Sequence, residues 1–267
     1  MDELDLKDLT VYNSPFPKMR LGEKNSGGYI ICDISNIKYD ILISGGIGNK
    51  ILFEEDFVNK YETKGIIYDK NIKKNPSINN SICFVKKHVS ASNNDNFTNI
   101  HEIIENNNNI FVKMKIKGYE IPWLENLNEH QMNKFEQIII VFYSPFSEHE
   151  KHIFKKINKT HILVHFHGNN KYSARLYKGK LFPNVFECTY LHKKYFNDFK
   201  TMNDNRIPSI LDMPNNPNMS EILINYEPFV KKNKKKLNTC GDIEERVFFL
   251  HNIYDAFFEK RTKGTSY

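Results

Sequence analysis

Ser44-Gly45-Gly46-Ile47-Gly48-Asn49 follows a short apolar run, residues 41–43, and leads into an amphipathic stretch that places Phe53 and Phe57 on one helical face. Glycines at a strand-to-helix turn let backbone amides approach a nucleotide-like ligand closely. About twenty residues later a second apolar run, residues 65–68, is closed by Asp69. A carboxylate at the end of the strand after such a turn can accept hydrogen bonds from both hydroxyls of a ribose. Further on, Lys115 and Lys117 alternate with Met114 and Ile116, and His165 and His167 stand two apart in another apolar run. In extended chain each pair shares a face. Paired lysines offer an anion site, or a general base where a neighbour lowers one pKa; a third reading is drift after catalysis was lost.

The spacing of these residues narrows the chemistry. The glycines form G-G-x-G and not G-x-G-x-x-G, which points away from a dinucleotide and toward the looser loop that holds S-adenosylmethionine; a plain tight turn is the competing reading. Two imidazoles on one face invite zinc, but no Cys, Asp or Glu stands at ligand spacing, and two lysines would repel a divalent cation, so no metal is expected. His167-Gly168-Asn169-Asn170 suits hydroxyl binding or proton transfer, with a hydrogen-bonded structural histidine as the alternative. Glu187, on the next strand, either orients His167 or lies on an exposed face.

The elements that must carry these groups alternate along the chain. Apolar runs predict strands at residues 40–44, 65–68, 82–86, 110–116, 137–143, 162–167 and 185–192. Amphipathic spacing predicts helices at 51–61, 99–105, 123–128, 148–156 and 243–260. The expected fold is α/β, a doubly wound and mainly parallel sheet. The polar connection 168–184 offers no crossover helix, so the last two strands should pair antiparallel. Residues 197–267 read as a C-terminal extension whose prolines, at 208, 214 and 217, keep it extended, and 1–38 read as a lead-in.

A hydrophobic content of 40%, with 20 Phe and 14 Tyr, is that of a folded chain, and 267 residues fit one domain. The net charge of +6 favours acidic partners, yet the basic residues are spread out, and the run at 231–236 reads as a solvated loop, with a phosphate or nucleic-acid contact as the alternative. Nucleic acid is therefore not favoured as a partner. Without a long apolar run or a leader-like N-terminus, neither membrane nor secretion is expected, and Cys32, Cys83, Cys188 and Cys240 read as reduced cysteines of a cytoplasmic protein. The wealth of Asn and Lys fits an AT-rich genome such as that of a large DNA virus.

Several blocks, taken in order, resemble the FkbM-like S-adenosylmethionine-dependent methyltransferases. They are Arg20-Leu21-Gly22 with Gly27-Gly28-Tyr29, the glycine loop with Phe53-Glu54, Tyr68-Asp69, Lys113-Met114-Lys115-Ile116-Lys117-Gly118-Tyr119-Glu120 before Trp123-Leu124, Leu163-Val164-His165-Phe166-His167-Gly168-Asn169-Asn170, Pro183-Asn184-Val185-Phe186-Glu187-Cys188-Thr189-Tyr190, and Pro208 with Leu211-Asp212 and Pro214-Asn215. The resemblance implies a class I methyltransferase fold with the cofactor at Gly45, Gly46, Gly48, Asn49 and Asp69. It implies methyl transfer to a sugar or glycan hydroxyl, including anionic ones, with Asn169, Asn170 and Glu187 toward the substrate and Lys115, Lys117 and His167 as catalytic candidates. Three departures stand out. Lys115 and Lys117 occupy the places of an Asp and a Glu, Val141 and Tyr143 those of a Glu and a His, and Ser26 that of an acid. A catalytically inactive binding or regulatory protein is the alternative these departures raise, and an RNA 2′-O-methyltransferase is a third.

Overall fold

The computed structural model describes residues 4–147, 151–197 and 200–232. Its centre is a seven-stranded sheet. The chain enters through a hairpin, β1 (Lys18–Gly22) and β2 (Gly28–Cys32), then runs β3 (Ile41–Gly45), α1 (Leu52–Tyr61), β4 (Lys64–Tyr68) and β5 (Ile82–Val85). A two-residue pair follows, β6 (His88–Val89) and β7 (Phe97–Thr98), and then α2 (His101–Glu105), β8 (Ile110–Met114), α3 (Glu120–Asn126), α4 (Glu129–Met132) and β9 (Phe135–Tyr143). The last part holds α5 (His152–Thr160), β10 (His161–Gly168), a small hairpin of β11 (Ala174–Tyr177) and β12 (Lys180–Pro183), and β13 (Val185–His192).

The sheet order is β10-β13-β9-β8-β3-β4-β5. β3, β4, β5, β8 and β9 are mutually parallel, and β13 runs antiparallel to both β9 and β10. The expected pairing of the last two strands is thus present, with His167 opposite Glu187, and β13 is wedged between β10 and β9.

Alternation along the strands sorts side chains to two faces. Ile43, Val112, Met114, Ile140 and Phe166 meet Trp123, Leu124, Ile153 and Ile157 of α3 and α5. On the opposite face Leu42, Phe111, Ile139 and Val141 meet Phe53, Phe57 and Val58 of α1 and Leu21, Tyr29 and Ile31 of the first hairpin. Rings dominate that second face, with Phe57 and Phe111 centroids 4.3 Å apart. One face therefore carries four helices, the other one helix and a hairpin.

Several expectations change in detail. The lead-in is not a plain approach, because β1 and β2 form part of the second layer. Gln137 of β9 fastens it: its side chain accepts from the Cys32 amide at 2.9 Å and donates to the Cys32 carbonyl and the Tyr39 hydroxyl at 2.7 Å each. The polar connection 168–184 holds a hairpin of its own, turned by Lys178 and Gly179, both with positive φ, as a tight two-residue turn requires. The strand expected to reach residue 116 ends at Met114. The C-terminal segment lacks strands and helices over 200–232, as expected, but it is not superficial: Ile207, Ile222, Ile224 and Phe229 are buried. With Val11 and Tyr12 it covers the sheet edge, where the Tyr12 amide donates to the Leu163 carbonyl at 2.9 Å and the Asn203 amide to the Val11 carbonyl at 2.8 Å. Cys83 faces outward on edge strand β5, whereas Cys32 and Cys188 are buried. The helix expected at 243–260, most of the basic run at 231–236, and Cys240 lie outside the described residues.

Replacing Gln137 by Leu strips the acceptor from the buried Cys32 amide, worth about 1–3 kcal/mol when left unsatisfied, and a donor from the Tyr39 hydroxyl, while the Cys32 carbonyl keeps the Ile34 amide at 3.1 Å. Urea unfolding of Gln137→Leu should show a loss of roughly 1–3 kcal/mol. A loss below about 0.5 kcal/mol, within the range of ordinary surface changes, would mean the hairpin is held by its apolar contacts alone.

Candidate functional site

The chain lays β3, β4 and β5 outward in one direction, then returns to place β8 on the other side of β3. At such a reversal, loops from adjacent strands diverge and leave a crevice beyond the strand ends. Here it is a cleft of about 600 Å³. Gly46, Gly48 and Asn49 line it from the β3 turn, Asp69 from the end of β4, Lys115 and Lys117 from the exit of β8, and Tyr143 from the end of β9. Ser26 and Tyr29 of the first hairpin close one wall.

Backbone approach shapes the glycine turn. Gly46 has φ +71°, and a Cβ there would stand 2.1 Å from the Lys115 carbonyl oxygen. The exits of β3 and β8 are therefore in direct contact, bonded by the Lys115 amide to the Gly45 carbonyl at 3.0 Å. Gly45 lies below the cleft, its absent side chain making room for Met114 and Ile116. Gly48 also has positive φ, but a Cβ there would meet nothing. Asp69 is almost buried and braces this turn: one oxygen accepts from the Gly48 amide at 3.0 Å, the other from the Asn71 amide at 2.8 Å. A carboxylate offers about four lone-pair positions, so both oxygens keep capacity toward the cleft. Beside it, His88 and Tyr119 stack with centroids 5.9 Å apart, and both line the cleft.

The lysines do not pair as the alternation predicted. Lys117 falls beyond β8 with φ +37° and precedes Gly118 at φ +93°, so the chain turns there and Lys117 is exposed. The residues that share a face are Lys113 and Lys115. Lys113 is buried against Glu54 of α1 (Nζ to Oε1, 3.0 Å) and lies 5.3 Å from the centre of the Tyr29 ring. The Ser44 hydroxyl donates to the same Glu54 oxygen at 2.6 Å. Lys115 reaches the Ser26 hydroxyl at 3.3 Å. Burial pushes its pKa down; Glu187 opposes this, and the nearby Lys113, Lys171 and Lys50 add to it.

His167, Asn169, Asn170 and Glu187 belong to a second cluster, on β10, β13 and the C-terminal segment. His165 bonds Asp212 through Nε2 at 2.9 Å. His167 meets both Glu221 oxygens at 3.2 Å and lies 3.9 Å from Glu187 and from Asp212. Burial alone would lower the His167 pKa, but the carboxylates of Glu187, Glu221 and Asp212 lift it to about 10. Asp212, which burial would raise, is held well below the usual carboxylate range by His165 and His167. Asn170 donates to the carbonyls of Asn216 and Met219 at 2.9 Å each and accepts from the Asn216 amide, which pins the C-terminal segment. Asn169 and Asn215 both donate to Glu187, at 3.4 and 3.1 Å. The roles this cluster performs in the structure are ion pairing and anchoring. Among the described residues no group of three or more His, Cys, Asp or Glu is placed to hold a metal ion, and no helix is long and apolar enough to cross a membrane.

Sequence reasoning placed six of its candidates at the cleft: Gly46, Gly48, Asn49, Asp69, Lys115 and Lys117. It missed Glu54, Lys113 and Ser44, whose contacts join separate elements, and it missed Asp212 and Glu221 as the histidines' partners. An acidic residue followed by prolines and asparagines in an otherwise extended segment was the available signal for Asp212. Compared with family models, curated proteins and solved structures, the chain matches none.

The His167 ion cage sets a pH dependence. An unfolded histidine has a pKa near 6.5, and the folded value is about 10. Between these the folded chain holds a proton that the unfolded chain lacks, so stability falls as pH rises, by at most about 1.4 kcal/mol per pH unit. The contribution is complete below about pH 6.5 and gone above about pH 10. Unfolding of wild type and His167→Gln at pH 6 and pH 9 should therefore show a stability gap that narrows at the higher pH. A gap that stays constant would mean that His167 is neutral in the fold.

Proposed function

We propose that the chain is an S-adenosylmethionine-binding protein of the class I methyltransferase type, acting as an O-methyltransferase on a sugar or glycan hydroxyl. The observation that carries this reading is the strand order, with a reversed β13 inserted between β9 and β10 at the end of an otherwise parallel sheet, and a glycine turn and a strand-end acid on the first two strands of that sheet. That layout is consistent with a Rossmann-like methyltransferase domain and supports the reading.

The residues present fit the cofactor. The open turn at Gly48 and the neighbouring Asn49 would take the methionine portion, the free lone pairs of Asp69 the ribose hydroxyls, and His88, Val89 and Tyr119 the adenine. Bound there, the cofactor would supply an electrophilic methyl group. Transfer to a hydroxyl is an in-line displacement that depends mainly on positioning. The chain's part is then to hold the acceptor at the β8–β9 side, between Lys115, Tyr29 and Tyr143.

One observation favours a second reading, a binding protein without transferase activity. Among the described residues Asp69 is the one carboxylate that lines the cleft, and His167 is locked among carboxylates in the other cluster. On the β8–β9 side, where the acceptor would sit, no carboxylate or histidine lines the cleft to take the hydroxyl proton, and His88 stands on the adenine side against Tyr119. Calorimetric titration with S-adenosylmethionine, run beside a methyl-transfer assay on a sugar panel, separates the two: binding with transfer supports the first, binding without transfer the second.

Asp69→Ala should weaken S-adenosylmethionine binding about tenfold or more, since a charge-assisted hydrogen bond contributes roughly 1.5–3 kcal/mol. An unchanged affinity in this variant, or no binding by the wild type, would overturn the cofactor assignment.

A further inference from the structure

Two ammonium groups converge on one serine at the cleft wall. Lys50 Nζ donates to the Ser26 carbonyl at 2.8 Å, and Lys115 Nζ donates to the Ser26 hydroxyl at 3.3 Å. Both lysines and Ser26 line the cleft. The convergence is built into the backbone: Gly27, with φ +105°, lies against the Lys50 stem, and an added Cβ would stand 3.1 Å from Lys50 Cδ.

Like charges brought together in a half-buried place repel unless something compensates them. Lys113, one strand position pair away, has its compensation in Glu54 at 3.0 Å. Among the described residues neither Lys50 nor Lys115 has a carboxylate within ion-pair distance. Each ammonium has three donors and uses one on Ser26, so two on each remain for a ligand. Lys117 adds a third positive side chain at the rim. The carboxylate that acts on Lys115 is Glu187, which is already engaged by Asn169 and Asn215, and the cleft carboxylate Asp69 is engaged with the Gly48 and Asn71 amides on the β4 side.

We propose that Lys50 and Lys115, converging on Ser26, form a binding site for an oxyanion, and that this oxyanion is the phosphate or carboxylate group of an acidic sugar acceptor. The oxyanion site rests on the geometry alone; its assignment to the acceptor rests on the methyltransferase reading. The lowered pKa of Lys115 agrees, since its first cause is burial and an arriving anion would offset both that cost and the repulsion from Lys50 and Lys113. In this role Lys115 works as a charge and not as a base.

The test is calorimetric titration of the full chain with inorganic phosphate, glucose 1-phosphate, galacturonate and glucose. Wild type should bind the three anions and discriminate against glucose, and the binding should weaken as salt rises. Lys115→Met and Lys50→Met should each weaken glucose 1-phosphate binding by about tenfold or more. Lys50 is an exposed side chain, so its variant keeps the test open should Lys115→Met fold poorly. S-adenosylmethionine is titrated separately. Anion binding without S-adenosylmethionine binding would keep the oxyanion site and sink the methyltransferase reading. No anion binding, or equal affinity for glucose and glucose 1-phosphate, would overturn the proposal. So would a lysine variant that loses S-adenosylmethionine affinity while wild type ignores glucose 1-phosphate, because the ammonium groups would then serve the cofactor's own carboxylate.

Discussion

The buried ion pair of Glu54 and Lys113 is the constraint on which the cleft depends. Both side chains are withdrawn from water, and burying two charges is costly unless geometry and extra hydrogen bonds offset it. Here one Glu54 oxygen takes the Lys113 ammonium and the Ser44 hydroxyl together, and the Tyr29 ring lies beside the cation. These contacts tie α1, β3, β8 and the first hairpin at a single point. Since the glycine turn spans β3 and α1, fixing both ends fixes the turn. The other Glu54 oxygen has no hydrogen-bond partner among the described residues, so the pair acts more as a register device than as a source of stability. Removing either member alone would strand a buried charge, a loss of about 3–5 kcal/mol.

That node also decides which lysines remain free to act. Lys113, Lys115 and Lys117 read as one basic run, yet they have three different fates. Lys113 is neutralised by Glu54 at the cleft floor, Lys115 is half-buried in its wall, and Lys117 is turned out by the positive φ values at 117 and 118. A second division separates the cleft from the carboxylate cage on β10 and β13. Asp212 holds His165, Glu221 holds His167, and the asparagines at 169, 170 and 215 complete the seam. The cage fastens an irregular segment over the sheet edge, where a row of unpaired backbone groups would otherwise face outward. Glu187 links the two regions, bonded within the cage yet near enough to Lys115 to raise its pKa.

Most of the sheet was legible in the sequence because its strands are buried on both faces and therefore read as apolar runs. The pairing of β10 with β13 followed from a connection too short for a crossover helix. The first hairpin was not legible as part of the second layer, since its attachment runs through Gln137, a residue 105 positions from Cys32. The ion pairs were hidden for the same reason: Lys113 and Glu54 lie 59 apart and His167 and Glu221 lie 54 apart. Periodicity reports local geometry, whereas these contacts depend on which strands become neighbours. The lysine alternation misled because the strand stops at Met114, and only backbone dihedrals reveal that stop.

The cleft that results is electrically lopsided. On the β4 side a nearly buried carboxylate braces a loop of backbone amides beside two stacked rings. On the β8 side two ammonium groups share one serine. Both sides meet at the reversal of strand order, where Gly46 touches the Lys115 carbonyl, so the spacing of the two backbones that carry them is fixed by direct contact. A ligand set that matched this field would present hydroxyl donors toward Asp69 and an acidic group toward Lys50 and Lys115. A neutral acceptor would leave the two ammonium groups at Ser26 without a carboxylate in ion-pair contact, with Glu187 only opposing from the neighbouring cluster. On the proposed reading such an arrangement would be selective by what it leaves uncompensated, since a pair of like charges penalises the wrong ligand as well as rewarding the right one.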